Sequence, residues 1–299
     1  MGPIGFYKWI KEQGYLPKQV YVSTKHKLLV DAKLAMYKCA YSIPIDSENY
    51  HQDIADALVA RFGHFSNVTF VNDGKVDKQH PKHETDCKRS EKRLEQRTEV
   101  EHASKRLKVT DSEYYSLHPE IAEQLDEAIL KVDRQARAAR GVSYNDAIKV
   151  MQLLEAYPNF TCIQQEIGEA DALIISMAHN YDFVVSEDGD LLCGGITNLL
   201  REFGSPKQCL YNAKDILYAT KLSLSQLQQI ACIAGNDYTK SKIAGMGLVR
   251  AYTLIRKYET CEHMIEKWTK KESKKFTLPK DLLLELEKGC ALYNPVKAK

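Results

Sequence analysis

The chain has 299 residues, 44% hydrophobic and 27% charged, with a formal net charge of +2. That is ordinary globular composition, enough for one large α/β domain or two modest ones. It excludes a uniformly basic nucleic-acid coat, so a nucleic-acid surface has to come from local clustering.

Eight cysteines are scattered with no Cys-x-x-Cys pair and no Cys/His spacing typical of zinc, and read as reduced thiols of an intracellular protein. There is no signal peptide and no apolar run long enough to span a bilayer, so no membrane association is expected.

In chain order, residues 2–16 predict a glycine-punctuated opening and a short amphipathic helix with Phe6, Trp9 and Ile10 on its apolar side. Lys27–Asp31 reads as a buried strand ending in an acid, and Ala32 to Tyr41 as the helix after it, with Leu34, Ala35 and Tyr37 available to pack. In open α/β sheets ligands bind at this end of a strand. Residues 50–64 suit another helix. Asn67–Val71 predicts a β-branched strand followed by Asn72-Asp73-Gly74-Lys75, where Asp73 is again an acid at a strand end or, equally, part of an Asp-Gly turn.

Composition changes at Lys75. Between residues 75 and 110 there are eleven Lys/Arg against seven Asp/Glu and few large apolar residues. Such a stretch is either a solvated, salt-bridged insert or a basic element that orders around phosphates. Lys131, Arg134, Arg137 and Arg140 recur every third residue, laying a basic stripe on a helix that Gly141 ends.

The globular pattern returns at Ser143. Asn145–Ala156 predicts a helix with Ala147, Ile148, Met151, Leu153 and Leu154 inward, and Phe160–Ile163 a short strand. Gly168-Glu169-Ala170-Asp171 then opens an apolar helix, and Tyr181–Val185 is a buried-strand pattern running into Ser186-Glu187-Asp188-Gly189-Asp190. Two apart on a strand, Asp188 and Asp190 share a face. Glu169 and Asp171 meet only if Glu169 stands just outside the helix, an entry that Gly168 suits. Either pair alone is as well explained by helix-dipole or turn preferences. Together, acids at the mouths of buried strands are tolerated if hard divalent cations neutralise them.

Cys209–Tyr211 predicts a strand. Leu222–Ala234 predicts a helix capped by Ser223 or Ser225. Gly235-Asn236-Asp237-Tyr238 and Gly245-Met246-Gly247 then separate it from a second helix. Such a loop either leaves backbone N–H groups free to grip a phosphate or is a tight helix–helix turn. The tail from Lys267 is lysine-rich and ends in an amphipathic stretch around Leu282–Leu286.

Taken together, Val30-Asp31-Ala32, Asp73-Gly74-Lys75, Gly168-Glu169-Ala170-Asp171-Ala172, Ser186-Glu187-Asp188-Gly189-Asp190, Gly235-Asn236-Asp237-Tyr238 and Gly245-Met246-Gly247 resemble, in order and spacing, the flap endonuclease family of structure-specific 5′ nucleases (Rad2/XPG type). The resemblance runs from Met1 to about Tyr258. It implies an α/β fold: a PIN-like 5′-nuclease core with a mostly parallel central sheet flanked by helices, a helical arch insert, and a helix–two-turn–helix DNA-binding element. The corresponding divisions are 1–74 and 142–222 for the core, 75–141 for the basic arch, 223–260 for the duplex-binding element and 261–299 for a helical tail.

The resemblance further implies two Mg2+ or Mn2+ ions held by Asp31, Asp73, Glu169, Asp171, Asp188, Asp190 and Asp237. Asp171 stands where many relatives carry Glu. Lys82 and Arg89, seven apart, would contact the scissile phosphate. Gly2, Tyr37, Arg134, Arg137, Gly245, Gly247 and Arg250 would contact DNA, with Tyr37 stacking on a base and a K+ ion helping the glycine hairpin hold the duplex. Implied partners are DNAs with 5′ flaps, nicks, gaps or free 5′ ends, met by a monomer. No glutamine-led clamp-binding box is present near the C-terminus, so sliding-clamp binding is not expected. The same fold also serves Holliday-junction resolvases, RNA 5′→3′ exonucleases and non-catalytic DNA-binding scaffolds; the scaffold reading would call for lost carboxylates, and none is lost.

Overall fold

In a computed structural model of the chain the described residues are 3–75, 87–88, 90–96, 98–99, 119–236, 243, 245–268 and 279–293, the side chains of 119–126 and 292 excepted. At its centre is a six-stranded sheet of order β3-β2-β1-β4-β5-β6: β1 (Lys27–Asp31), β2 (Asn67–Asn72), β3 (Phe160–Gln164), β4 (Phe183–Val185), β5 (Leu199–Arg201) and β6 (Cys209–Tyr211). The first five pair in parallel and β6 closes one edge antiparallel to β5.

The strands are near-continuous apolar runs because helices cover both faces of the sheet, as parallel sheets require. Period-2 alternation divides their side chains between two cores. Leu29, Val184 and Leu199 face a layer holding α1 (Phe6–Glu12), α6 (Ala170–Met177), α7 (Asp190–Cys193), α9 (Leu224–Ala234), α10 (Leu248–Tyr258), α11 (Cys261–Glu266) and α12 (Leu282–Leu292). Leu28, Val30, Phe70 and Leu200 face α2 (Ala32–Ser42), α3 (Tyr50–Phe62) and α5 (Tyr144–Leu154). Two further helices are α4 (Pro119–Arg140), which precedes α5, and α8 (Ala213–Thr220), which follows β6. Phe6, Trp9 and Ile10 are buried as their spacing predicts.

Capping chemistry sets the helix starts. Ser143 before α5 and Ser223 before α9 each form a complete capping box, with Asp146 and Gln226 returning the bond; a cap of this kind contributes about 1 kcal/mol. Gly141 ends α4 with φ +59°, the left-handed conformation glycine tolerates best.

Three details differ from the sequence expectation. The inward face of α5 is Ala147, Val150, Met151 and Leu154, with Ile148 and Leu153 only half-buried. β5 and α8 are not assigned from the sequence; the strand is only three residues long, whereas α8 does carry a local signal, the Asn212 side chain capping Lys214 N and Asp215 N. Most consequentially, Asp188 and Asp190 do not share a strand face. β4 stops at Val185, Asp188 sits in a loop and Asp190 begins α7.

Candidate active site

The strand order reverses between β1 and β4. At such a switch point the connections leave to opposite faces and open a crevice beyond the C-terminal strand ends. The acids gather there, each placed by a local backbone need. Asp31 ends β1 and caps α2, its carboxylate accepting from Leu34 N at 3.2 Å. Across the crevice the Ser186 hydroxyl, just past β4, donates to Asp31 Oδ2 at 2.9 Å and accepts from Asp188 N at 3.0 Å. Asp188 Oδ1 in turn accepts from Asp190 N at 2.9 Å. One serine thus ties the ends of the two switch-point strands together.

Asp73, one residue past β2, accepts from Ala170 N at 2.9 Å through Oδ1 and from Lys33 Nζ at 2.8 Å through Oδ2. It satisfies the start of α6 from another strand, where the N-cap Glu169 makes no side-chain cap of its own. Gly74 and Gly168 lace these two segments together through Gly74 N to Gly168 O (2.8 Å) and Gly168 N to Lys75 O (3.1 Å). A Cβ on Gly74 would stand 2.6 Å from Ile167 N, and Gly168 has φ +86°, so both glycines answer a geometric demand. Glu169 is buried and still extended in backbone, and Asp171 lies in the first helical turn, half-buried. The predicted entry with Glu169 outside the helix is the one observed.

Asp31, Asp188 and Asp190 are 6%, 6% and 1% exposed. Burial, and next the charge of Asp73 with Asp188 adding to it, pushes the Asp31 carboxyl up to about 7, against the opposing bonds from Leu34 and Ser186. The donor set is oxygen throughout and anionic, and only partly offset by Lys33. This chemistry suits magnesium or manganese. Among the described residues no group of three or more Asp, Glu, His or Cys is arranged to hold an ion as it stands, and Asp237 lies outside the described residues.

The 186–190 loop is held from outside. Glu187 pairs with Lys38 (2.5 Å) and Arg201 (3.0 Å), and Arg201 lies 3.4 Å over the ring of Tyr7, whose hydroxyl donates to Glu187 O. Sequence reading passed over Ser186, Glu187 and Arg201 as parts of this loop's support. Ser186 and Glu187 stand inside a quoted motif, but their partners Asp31, Lys38 and Tyr7, more than a hundred positions away, leave no local pattern. Asp190 has a further partner from the far end of the chain: the Tyr293 hydroxyl donates to its Oδ1 at 2.6 Å. Burial first, and then Asp190, keeps that phenol protonated well above its usual range.

Of the other sequence-predicted residues, Tyr37 is half-buried on α2, its ring 5.2 Å from the Arg93 guanidinium and 3.3 Å from where a Gly141 Cβ would stand. Arg134 is exposed on α4. Arg137 pairs with Asp133 and donates to Ser42 O, while Arg140 donates to Pro44 O and Ile45 O and lies over Tyr50; the lower half of the basic stripe docks α4 onto the end of α2. Arg250 is exposed and donates to Gly245 O at 2.8 Å. Gly247 is the N-cap of α10 with no side-chain cap. With Lys8 and Trp9, Gly245, Gly247 and Arg250 line an open cavity of about 460 Å3. Gly2, Lys82 and Arg89 lie outside the described residues.

A mostly parallel, helix-flanked sheet with acids at its switch point is the PIN-like nuclease architecture. The chain has the fold of the flap endonuclease family. The catalytic core of Rad2 in complex with DNA substrate superposes with a TM-score of 0.62 at 16% identity, covering 97% of this chain and 85% of that one. Flap endonuclease-1 from Methanococcus jannaschii gives 0.52 at 18%, covering 96% and 99%. By sequence, flap endonuclease 1 of Methanocaldococcus jannaschii is 30% identical over 142 residues, 44% of this chain and 43% of the relative. The match thus spans less than half the length of the curated relatives it meets first. No family model matches.

Proposed function

We propose that the chain is a structure-specific 5′ nuclease that hydrolyses phosphodiester bonds in branched or ended duplex DNA, a 5′-flap endonuclease with 5′→3′ exonuclease activity serving replication, repair or recombination inside the cell. The observation that carries this reading is geometric: Asp31 at the end of β1, Asp73 just past β2 and Asp188 in the loop after β4 converge on one crevice, Asp31 and Asp188 joined through the Ser186 hydroxyl and Asp73 holding the start of α6. Structural economy gives no reason to crowd buried acids at a ligand-binding crevice. The likeness to flap endonucleases supports the same activity.

Glu169, Asp171, Asp188 and Asp190, with Asp31, Asp73 and Asp237, would hold two divalent cations, which when bound lower the pKa of water and offset charge on the leaving oxygen. Lys82 and Arg89 would neutralise the charge developing on the phosphate. Tyr37 offers a ring for an unpaired base, a surface that Arg93 shares. The basic insert 75–141 would cross over the site, and residues 223–260 would grip duplex backbone through Gly245, Gly247 and Arg250, aided by K+. Such contacts read shape and phosphates, so binding should be salt-sensitive with little sequence preference.

The test compares wild type with Asp188→Asn on 5′-flap, gapped, four-way and RNA substrates with Mg2+. Asn keeps the Oδ1 that accepts from Asp190 N but removes the charge. Cleavage of the flap near its branch by wild type, lost in D188N, is the expected result. Undiminished cleavage by D188N defeats the assignment, and preference for four-way or RNA substrates redirects it within the fold.

A further inference from the structure

Both ends of the four-residue helix α7 are pinned by helices that follow the sheet in sequence. Gln228 of α9 donates from Nε2 to Cys193 O at 3.1 Å at the helix's last residue. At its first residue, the Tyr293 hydroxyl, just past α12, donates to Asp190 Oδ1 at 2.6 Å. The same hydroxyl accepts from Asn236 Nδ2 at 2.7 Å, and Asn236 immediately precedes Asp237. Tyr293 is 2% exposed and Asp190 1%, so neither distance is an accident of a mobile surface side chain. α12 itself packs on α9 through Leu282 and Leu286, within the core that holds Phe6 and Leu191.

We propose that Tyr293 is a positioning residue for Asp190: its hydroxyl fixes the carboxylate's rotamer and joins it to Asn236, so that the C-terminal helix belongs to the metal-binding apparatus. The inference rests on the nuclease reading and deepens it. A carboxylate held by an outer hydrogen bond meets a cation pre-oriented, and loss of such a partner commonly costs 10–100-fold in metal affinity or activity.

The experiment uses the full chain with Tyr293→Phe, which removes one oxygen and preserves the ring and its packing. Tyr181→Phe is the comparison, since Tyr181 loses an equivalent bond, to Thr69 Oγ1, away from the crevice. Mn2+ binding is measured calorimetrically without DNA, alongside thermal melting and single-turnover flap cleavage. The expected result is Mn2+ affinity and kcat both reduced about tenfold or more in Y293F, an unchanged KM for DNA, and wild-type Mn2+ binding in Y181F. Wild-type affinity and kcat in Y293F overturn the inference alone, as does an equal loss of Mn2+ binding in Y181F, which would mark a general effect on folding. A wild-type chain that neither binds Mn2+ nor cleaves overturns the nuclease reading and this inference with it.

Discussion

Lys33 Nζ lies 2.8 Å from Asp73 Oδ2, a half-buried ion pair at the mouth of the acidic crevice. Lys33 is two residues past Asp31 and so brings a positive charge to a place where Asp31, Asp73 and Asp188 repel one another. In metal-free protein this pairing relieves part of that repulsion, and an incoming cation has to compete with it. Lys33→Met should therefore tighten Mn2+ binding several-fold while lowering the stability of the metal-free chain. Calorimetry and melting with and without Mn2+ read both arms, and unchanged or weaker Mn2+ binding would contradict the competition.

Ser186 uses one hydroxyl as donor to Asp31 and acceptor from Asp188 N. Both partners are buried, so Ser186→Ala leaves each short of a bond. A loss of about 1–3 kcal/mol is expected from denaturant unfolding, with cleavage falling more than the folded fraction does. A neutral S186A would mean water takes the hydroxyl's place.

Gly74 is tested by the smallest possible addition. An Ala Cβ there would meet backbone atoms of Glu166 and Ile167 at 2.6 to 2.8 Å, and backbone held by the Gly74–Gly168 bond cannot step aside cheaply. Gly74→Ala should cost about 1–3 kcal/mol and displace Asp73 from Ala170 N. Unfolding measurements that match wild type would show the two segments to be looser than their bonds imply.

The pH arm falls on Asp146, which joins the capping box of α5 to His51 at 2.8 Å. Its burial raises the carboxyl's pKa, but the bonds from Ser143 and His51 outweigh burial and hold it below the ordinary range. A depressed carboxyl contributes stability above its unfolded pKa of about 4. That contribution is lost as pH falls through the lower, folded value. Asp146→Asn should thus be less stable than wild type at pH 7 and converge on it in strongly acidic solution. A constant gap between the two across the acid range would exclude the linkage.

How much of this was legible in the sequence depends on how local each cause is. The apolar run before Asp31, the β-branched run before Asp73 and the glycine before Glu169 each declare their acid's place, because strand and helix entry are properties of a few consecutive residues. Asp188 and Asp190 misled for the converse reason. Their spacing of two fits a strand, but the Ser186 hydroxyl, bonded across to Asp31, turns the chain into a loop before either is reached. Arg137 and Arg140 likewise kept the period of a solvated basic face while the carbonyls of the 42–45 segment accept their hydrogen bonds.

The linear order of residues determined the alternation of apolar strands and helices, the oxygen-only acidic inventory and the basic insert, since periodicity, composition and capping act over a turn or a strand. Which acids face one another, that Lys33 answers Asp73, and that Tyr293 reaches Asp190 were decided only when the sheet reversed its order between β1 and β4 and the last helix closed on the core. Contacts between residues tens to hundreds of positions apart depend on the packing of both sheet faces, and no window of the chain contains both partners.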